Sequence, residues 1–250
     1  DKTMNDLPNV AMRGDKMYGP MAVGSVVGEY SGSIMAIDPS GRGADETGYA
    51  VVKQLNGYLY VPEAGGISGG YDEDTLGSLA EIAARNKVNM VLVESNFGDG
   101  MFTSLLRPVL AKRHPCMIDE VRHSTQKERR IIDTLEPVLM RHKLVMDPRV
   151  IEQDYRTASK YEQHMRMSKM LVYQLTRLTT ERHSLRHDDR LDALAMAVGY
   201  WSEQMATDEQ RGIEAQRDEL MQQELDRFMQ VAGQPRPNRR NWMGNLSAVR

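Results

Sequence analysis

The sequence predicts an α/β domain, a mixed β-sheet of three antiparallel strands followed by parallel strands and flanked by helices. Three observations carry this. Two strand-like runs flank Asn56-Gly57, a strong two-residue hairpin signal. From residue 72 onward, helical and strand periods alternate, the order of an α/β sheet. Acids sit at the boundaries of apolar segments: Asp38 ends Ile34-Met35-Ala36-Ile37, Glu94 ends Met90-Val91-Leu92-Val93, and His187-Asp188-Asp189-Arg190-Leu191-Asp192 opens a helix.

The elements follow in order. Residues 1–31 hold Pro8, Gly14, Gly19, Pro20, Gly24 and Gly28 without sustained periodicity and read as an extended linker. Ile34–Asp38, Gly48–Leu55 and Tyr58–Glu63 read as an antiparallel meander. Residues 72–86 place Leu76, Leu79, Ile82 and Ala83 on one helical face, and Val88–Glu94 is a nearly continuous apolar strand of the kind buried on both faces. A helix over Phe102–Lys112, a strand at Met117–Val121, a helix over Thr125–Arg141 and a strand at Leu144–Met146 repeat the alternation. Pro148 opens another helix, Arg166–Leu178 forms a further one, and a helix from Asp188 to Met205 closes a domain spanning 32–205. Residues 206–250 turn polar, with Ile213, Leu220, Leu225 and Phe228 as a weak stripe before Gly233-Gln234-Pro235; an exposed helix with a flexible end is expected, or a docking element.

Composition narrows the class. Of 250 residues, 40% are hydrophobic and 27% charged, the balance of an ordinary globular chain. The single cysteine, Cys116, excludes an internal disulfide, reads as a buried thiol and fits a reducing compartment. No apolar run approaches the roughly 20 residues that span a bilayer, so no membrane partner is expected. The net charge of −3 hides basic clusters at Lys127, Arg129 and Arg130, at Arg177, Arg182, Arg186 and Arg190, and at Arg236, Arg239 and Arg240. A nearly neutral total is compatible with a basic groove for nucleic acid, and equally with solvated helix faces.

Carboxylates at the ends of buried elements are costly unless a positive group meets them. A divalent metal pair suits them: hard cations such as Mg²⁺ take oxygen ligands, and two ions roughly 3.5–4 Å apart serve phosphodiester hydrolysis. In the third motif, helical geometry of about 100° per residue sets Asp188 and Asp192 roughly 40° apart and Asp189 and Asp192 roughly 60° apart. An N-cap or first-turn role accounts for one of Asp188 and Asp189. Asp192 enters the apolar part of the helix, and His187 can orient a carboxylate through a hydrogen bond.

The order of elements, with acids on the first strand, the fourth strand and the last helix, resembles the ribonuclease H-like fold of nucleases, resolvases and integrases. The wording of the motifs is narrower. Met35-Ala36-Ile37-Asp38-Pro39-Ser40-Gly41-Arg42-Gly43, Glu94-Ser95-Asn96-Phe97-Gly98-Asp99-Gly100, Asp133-Thr134-Leu135-Glu136-Pro137 and His187-Asp188-Asp189-Arg190-Leu191-Asp192-Ala193 resemble the nuclease domain of the large terminase subunit of short-tailed bacteriophages, over roughly residues 18–205.

The resemblance implies a metal-dependent endonuclease cutting concatemeric double-stranded DNA during genome packaging, with two Mg²⁺ or Mn²⁺ ions. It implies Asp38, Glu94, Asp189 and Asp192 as catalytic carboxylates, with Asp188 in reserve as a further ligand. Arg42, Lys127 and Arg130 are the expected DNA contacts, with Ser40, Asn96 and His187 in support. Partners implied are DNA, the portal protein, the small terminase subunit and an ATPase domain, in the host cytoplasm, with oligomers forming only in the assembled motor. No Gly-x-x-x-x-Gly-Lys-Ser/Thr phosphate loop occurs in these 250 residues, so no ATPase site is expected here, and residues 1–31 read as the connection from that missing ATPase domain. Two other classes stay open: an actin-like or sugar-kinase-type nucleotide-binding domain, from the loop after Asp38, and a non-catalytic portal-docking module.

Overall fold

A computed structural model describes residues 2–22, 24, 28–40, 46–95 and 100–232. Eight strands and seven helices occur among them: β1 (Lys2–Met4), β2 (Met17–Gly19), β3 (Gly32–Asp38), β4 (Glu46–Leu55), β5 (Tyr58–Ser68), α1 (Glu73–Arg85), β6 (Met90–Glu94), α2 (Met101–Arg113), β7 (Met117–Val121), α3 (Lys127–Met140), β8 (Leu144–Met146), α4 (Pro148–Ala158), α5 (Gln163–Lys169), α6 (Leu171–Arg177) and α7 (Asp189–Ala232).

Six strands form the central sheet in the order β7-β6-β3-β4-β5-β8. The meander β3-β4-β5 is antiparallel, while β6 joins β3, β7 joins β6 and β8 joins β5 in parallel. The hairpin turn has the sequence-expected form, with Asn56 at φ 52° and Gly57 at φ 75°, both in the left-handed region that the favoured two-residue turn requires. Strand β5 runs five residues beyond the expected Glu63, to Ser68. Its extension, Ala64-Gly65-Gly66, has weak strand propensity, but it pairs with Ala50, Tyr49 and Gly48 of β4. A side chain at Gly66 would meet the Glu46 carboxylate at 2.3 Å, so pairing here depends on bare backbone.

One sheet face carries Met35, Ile37, Tyr49, Val51, Val91 and Val93 against Leu76, Leu79, Ile82 and Ala83 of α1 and Phe102, Leu106 and Leu110 of α2. Cys116 packs against the edge of this core as a half-buried thiol. The alternate residues Ile34, Ala36, Ala50, Val52 and Leu92 are buried on the opposite face. There α7 crosses: Trp201 Nε1 donates to Val52 O at 3.0 Å, and a Cβ at Gly48 would stand 2.2 Å from Asp189 O. Glycine at position 48 thus lets the start of α7 abut β4.

Three expectations are corrected. The extended linker expected over residues 1–31 holds ordered elements among its described residues: β1 and β2 pair antiparallel, and Val10 and Ala11 are buried with Ile151, Ala158, Met170 and Val172. The single helix expected over Arg166–Leu178 is two, broken at Met170 in extended conformation. The last helix does not stop at Met205 but continues to Ala232.

Two compact units are distinguished, residues 1–203 and 204–250. In the second, the described residues are helical, with Ile213, Leu220, Leu225 and Phe228 53–68% exposed. No helix among the described residues is long and apolar enough to cross a membrane.

Candidate metal centre

Adjacent parallel strands bring the first two acids together. Ile37 pairs with Val93, so Asp38 and Glu94 follow side by side at the C-terminal ends of β3 and β6. The first turn of α7 adds Asp192, whose N–H closes the helix's opening hydrogen bond to Asp188 O at 2.8 Å. One ligand oxygen each from Asp38, Glu94 and Asp192 lies within 4.8 Å of the others. Their side chains are 13%, 5% and 0% exposed.

Two cations from α3 enter this cluster. Lys127 Nζ stands 2.9 Å from Asp192 Oδ2, 2.9 Å from Asp188 Oδ1 and 3.5 Å from Asp38 Oδ2. Arg130 Nη2 donates to Asp192 Oδ1 at 2.6 Å and lies 3.8 Å from Glu94 Oε1. Four carboxylates thus face the two cations that contact them. Burial pushes the Asp38 carboxyl well above its ordinary range; Lys127 opposes this, and the fields of Asp192, Glu94 and Asp189 add to it. Glu94 is raised by burial and by Asp192, with a hydrogen bond to Asp38 pulling the other way. Burial disfavours the Lys127 ammonium, but Asp192, Asp38 and Asp188 together override it and raise its pKa.

These residues suit a hard divalent cation. The donor set is all carboxylate oxygen, and Asp192 Oδ2 is buried without a hydrogen bond among the described residues, its contact with Lys127 being an ion pair only. Burial, with a smaller push from neighbouring acids, penalises the charged forms of Asp38 and Glu94, a penalty that a bound cation would relieve.

The other sequence-expected residues are distributed as follows. Asp188 faces Lys127 at the rim, whereas the Asp189 carboxylate lies 4.0 Å from Lys169 Nζ, outside the group of three. Lys127 and Arg130, expected at DNA, are here engaged with the acids. Ser40 is buried and donates from Oγ to Gly69 O at 2.8 Å, tying the end of β3 to the end of β5. His187 is half-buried with Nε2 enclosed. Arg42 and Asn96 lie outside the described residues.

Sequence reasoning missed Arg122, whose Nε donates to Ser95 Oγ at 3.2 Å beside Glu94, and the buried group around Arg190. Arg190 shares a helical face with the buried Ala193, Leu194 and Ala197, so the 3.6-residue period already places it inside.

A meander continued by parallel strands, with acids ending its first and fourth strands and a third on the closing helix, defines a ribonuclease H-like domain. Residues 37–144 match the family described as Terminase Bacteriophage T7, Ribonuclease H-like domain. Over 203 residues the chain is 47% identical to the terminase large subunit of Enterobacteria phage T3, covering 81% of this chain and 35% of that protein. Residues 37–144 thus carry a terminase ribonuclease H-like domain, and the chain spans about a third of the length of its phage T3 relative. Among solved structures, the human cytomegalovirus terminase nuclease domain is similar at 16% identity and a TM-score of 0.46, covering 68% of this chain and 83% of that one. The nuclease domain of the large terminase subunit gp2 of bacterial virus Sf6 follows at 13% identity and 0.45, covering 68% and 88%.

Proposed function

We propose that this chain is the metal-dependent endonuclease domain of a viral genome-packaging terminase, cutting concatemeric double-stranded DNA by phosphodiester hydrolysis. The observation that carries the proposal is the convergence of Asp38, Glu94 and Asp192 to within 4.8 Å from three separate elements. These three would hold Mg²⁺ or Mn²⁺, and Asp188 and Asp189 at the same helix start are the reserve for a second ion. When bound, divalent ions supply a water that ionises near neutral pH and neutralise charge at the leaving oxygen. The protein's part is to hold the carboxylates in place: β3 and β6 fix Asp38 and Glu94 by register, and Arg130 fixes Asp192.

Lys127 and Arg130 restrain acids that repel one another, and once a metal takes over that role they are free to meet DNA phosphate together with Arg42. Positive charge at the phosphates makes binding salt-dependent. The motor ATPase, the portal protein and the small subunit are proposed partners, and the host cytoplasm the proposed setting.

The test pairs calorimetric Mn²⁺ titration with cleavage of supercoiled plasmid. The expected result is saturable metal binding, nicking and linearisation that EDTA stops, and weaker DNA binding as salt rises. Cleavage that persists in EDTA, or a chain that binds no Mn²⁺, overturns the proposal.

A further inference from the structure

Beneath the carboxylates lies a second group of charges. Arg190, between Asp189 and Asp192, is fully buried. Its guanidinium grips Glu46 of β4 with two hydrogen bonds, Nε to Oε2 at 2.9 Å and Nη2 to Oε1 at 2.8 Å. Nη1 donates to Asp154 Oδ1 of α4 at 2.7 Å and to Thr157 Oγ1 at 3.1 Å. Glu46 is held in turn by Tyr161, whose hydroxyl donates to Oε1 at 2.6 Å.

The same region ties the α7 backbone. Leu191 N–H is one of the helix-start donors without an intrahelical partner, and Gln174 Oε1 of α6 accepts it at 3.0 Å. Asp154 also accepts Leu171 N at 2.9 Å and Val172 N at 3.2 Å, which fixes α6 and hence Gln174. The turn that carries Asp188, Asp189 and Asp192 is therefore clamped from β4, α4 and α6 at once. Gly48 and Gly66 permit this close approach: a Cβ at Gly66 would stand 2.9 Å from Arg190 Nε, and one at Gly48 2.2 Å from Asp189 O.

We propose that Arg190 is a positioning residue, set by Glu46 and Asp154, that fixes the rotation of the first turn of α7 and so aims Asp192 at Asp38 and Glu94. A planar fork bonded on both edges resists rotation, which a lysine ammonium at the same place could not match. The inference rests on the proposed metal centre, because the aim of Asp192 matters only if a cation is held there. Partners that orient metal ligands typically cost roughly 10–100-fold in affinity when removed.

The experiment measures Mn²⁺ affinity by calorimetry, with the Mn²⁺ resonance line shape as a second readout, at temperatures well below unfolding. Arg190→Lys and Glu46→Gln are compared with wild type, after circular dichroism has established that each is folded. The expected result is about 10–100-fold weaker Mn²⁺ binding in both variants and an altered line shape. Tyr161→Phe, which removes only one hydrogen bond to Glu46, is the mild variant and should lose a few-fold if the stronger variants fail to fold. Folded variants that bind Mn²⁺ like wild type overturn the inference and leave the metal centre intact. Should wild type bind no Mn²⁺, the metal-centre reading falls and the inference with it.

Discussion

Two buried charge clusters meet the first turn of α7, each with two acids per cation, and they differ in how fully those acids are hydrogen-bonded. Around Arg190, one guanidinium is matched by two acids through hydrogen bonds of 2.7–2.9 Å, and Asp154, though its carboxyl is raised by burial, has further backbone donors. Around Asp192, four carboxylates share Lys127 and Arg130, and Asp38 and Glu94 are pushed toward the protonated form by burial. The first cluster is complete in hydrogen bonds, whereas Asp192 Oδ2 of the second is buried without one among the described residues and would gain from a cation. A few residues apart on one helix, burial of charge thus goes with rigidity in one place and with carboxylates that suit a cation in the other.

The largest effect should come from the cluster that is incomplete. Asp38→Asn should lower metal-dependent plasmid cleavage by on the order of 10⁴-fold, the scale for loss of a central catalytic group. Its melting temperature without metal should hold or rise, because one repelling carboxylate is gone. A melting temperature that falls steeply would show Asp38 to be a stabilising acid and dissolve the contrast.

The complete cluster should behave in the reverse way. Asp154→Ala leaves the buried guanidinium with an unmatched edge and α6 without its acceptor, and should cost about 3–5 kcal/mol by denaturant titration. A loss below about 1 kcal/mol would mean that the network is replaceable.

Legibility in the sequence divides along the same line. Asp38, Glu94 and Asp192, which the fold brings together, were legible as candidates because each ends or opens an apolar run, and the hairpin because Asn56-Gly57 is a local signal. Helical spacing allowed either Asp188 or Asp189 beside Asp192, and only tertiary structure sets Asp188 against Lys127 and the Asp189 carboxylate 4.0 Å from Lys169 Nζ. What tertiary contacts decide could not be read locally. The break at Met170 arises where Asp154, distant in sequence, accepts the amides of Leu171 and Val172 and supplies the start of α6. Strands β1 and β2 are three residues each and exist through pairing with one another. Lys127 and Arg130 read as DNA contacts because a basic helix start looks the same whether it faces phosphate or a neighbouring carboxylate.

Lys127 sharpens the comparison, since it stands where the incomplete cluster most needs positive charge. Lys127→Met should tighten Mn²⁺ binding in the absence of DNA, because a competing ammonium is removed from among the acids. About tenfold is expected, equivalent to roughly 1.4 kcal/mol, a modest share of the interaction of unit charges near 4 Å at a partly exposed site. Weaker binding would show that the acids still need Lys127 to restrain them when the ion is bound, and that a metal does not take over its role.

The smallest effect concerns an acid of a third kind, exposed at a helix start. Asp72 caps α1, accepting Thr75 N at 2.8 Å and Thr75 Oγ1 at 2.9 Å, and these bonds hold its carboxyl below the ordinary value. Because the folded state binds the proton less readily than the unfolded chain, ionised Asp72 stabilises the fold at pH values above its unfolded pKa, near 3.9. That contribution is lost as pH falls through the lower, folded value. Asp72→Ala should therefore cost about 1 kcal/mol, within roughly 0.5–2, at pH 7. The gap to wild type should stay level down to about pH 5 and narrow below about pH 4. Urea titrations of both proteins across this range check it, and a gap that widened on acidification would contradict the capping geometry. Unlike Asp38, whose burial favours the proton, Asp72 is stabilised in its charged form with no ion at all, so Asp38 differs from an ordinary acid by its surroundings and not by its chemistry.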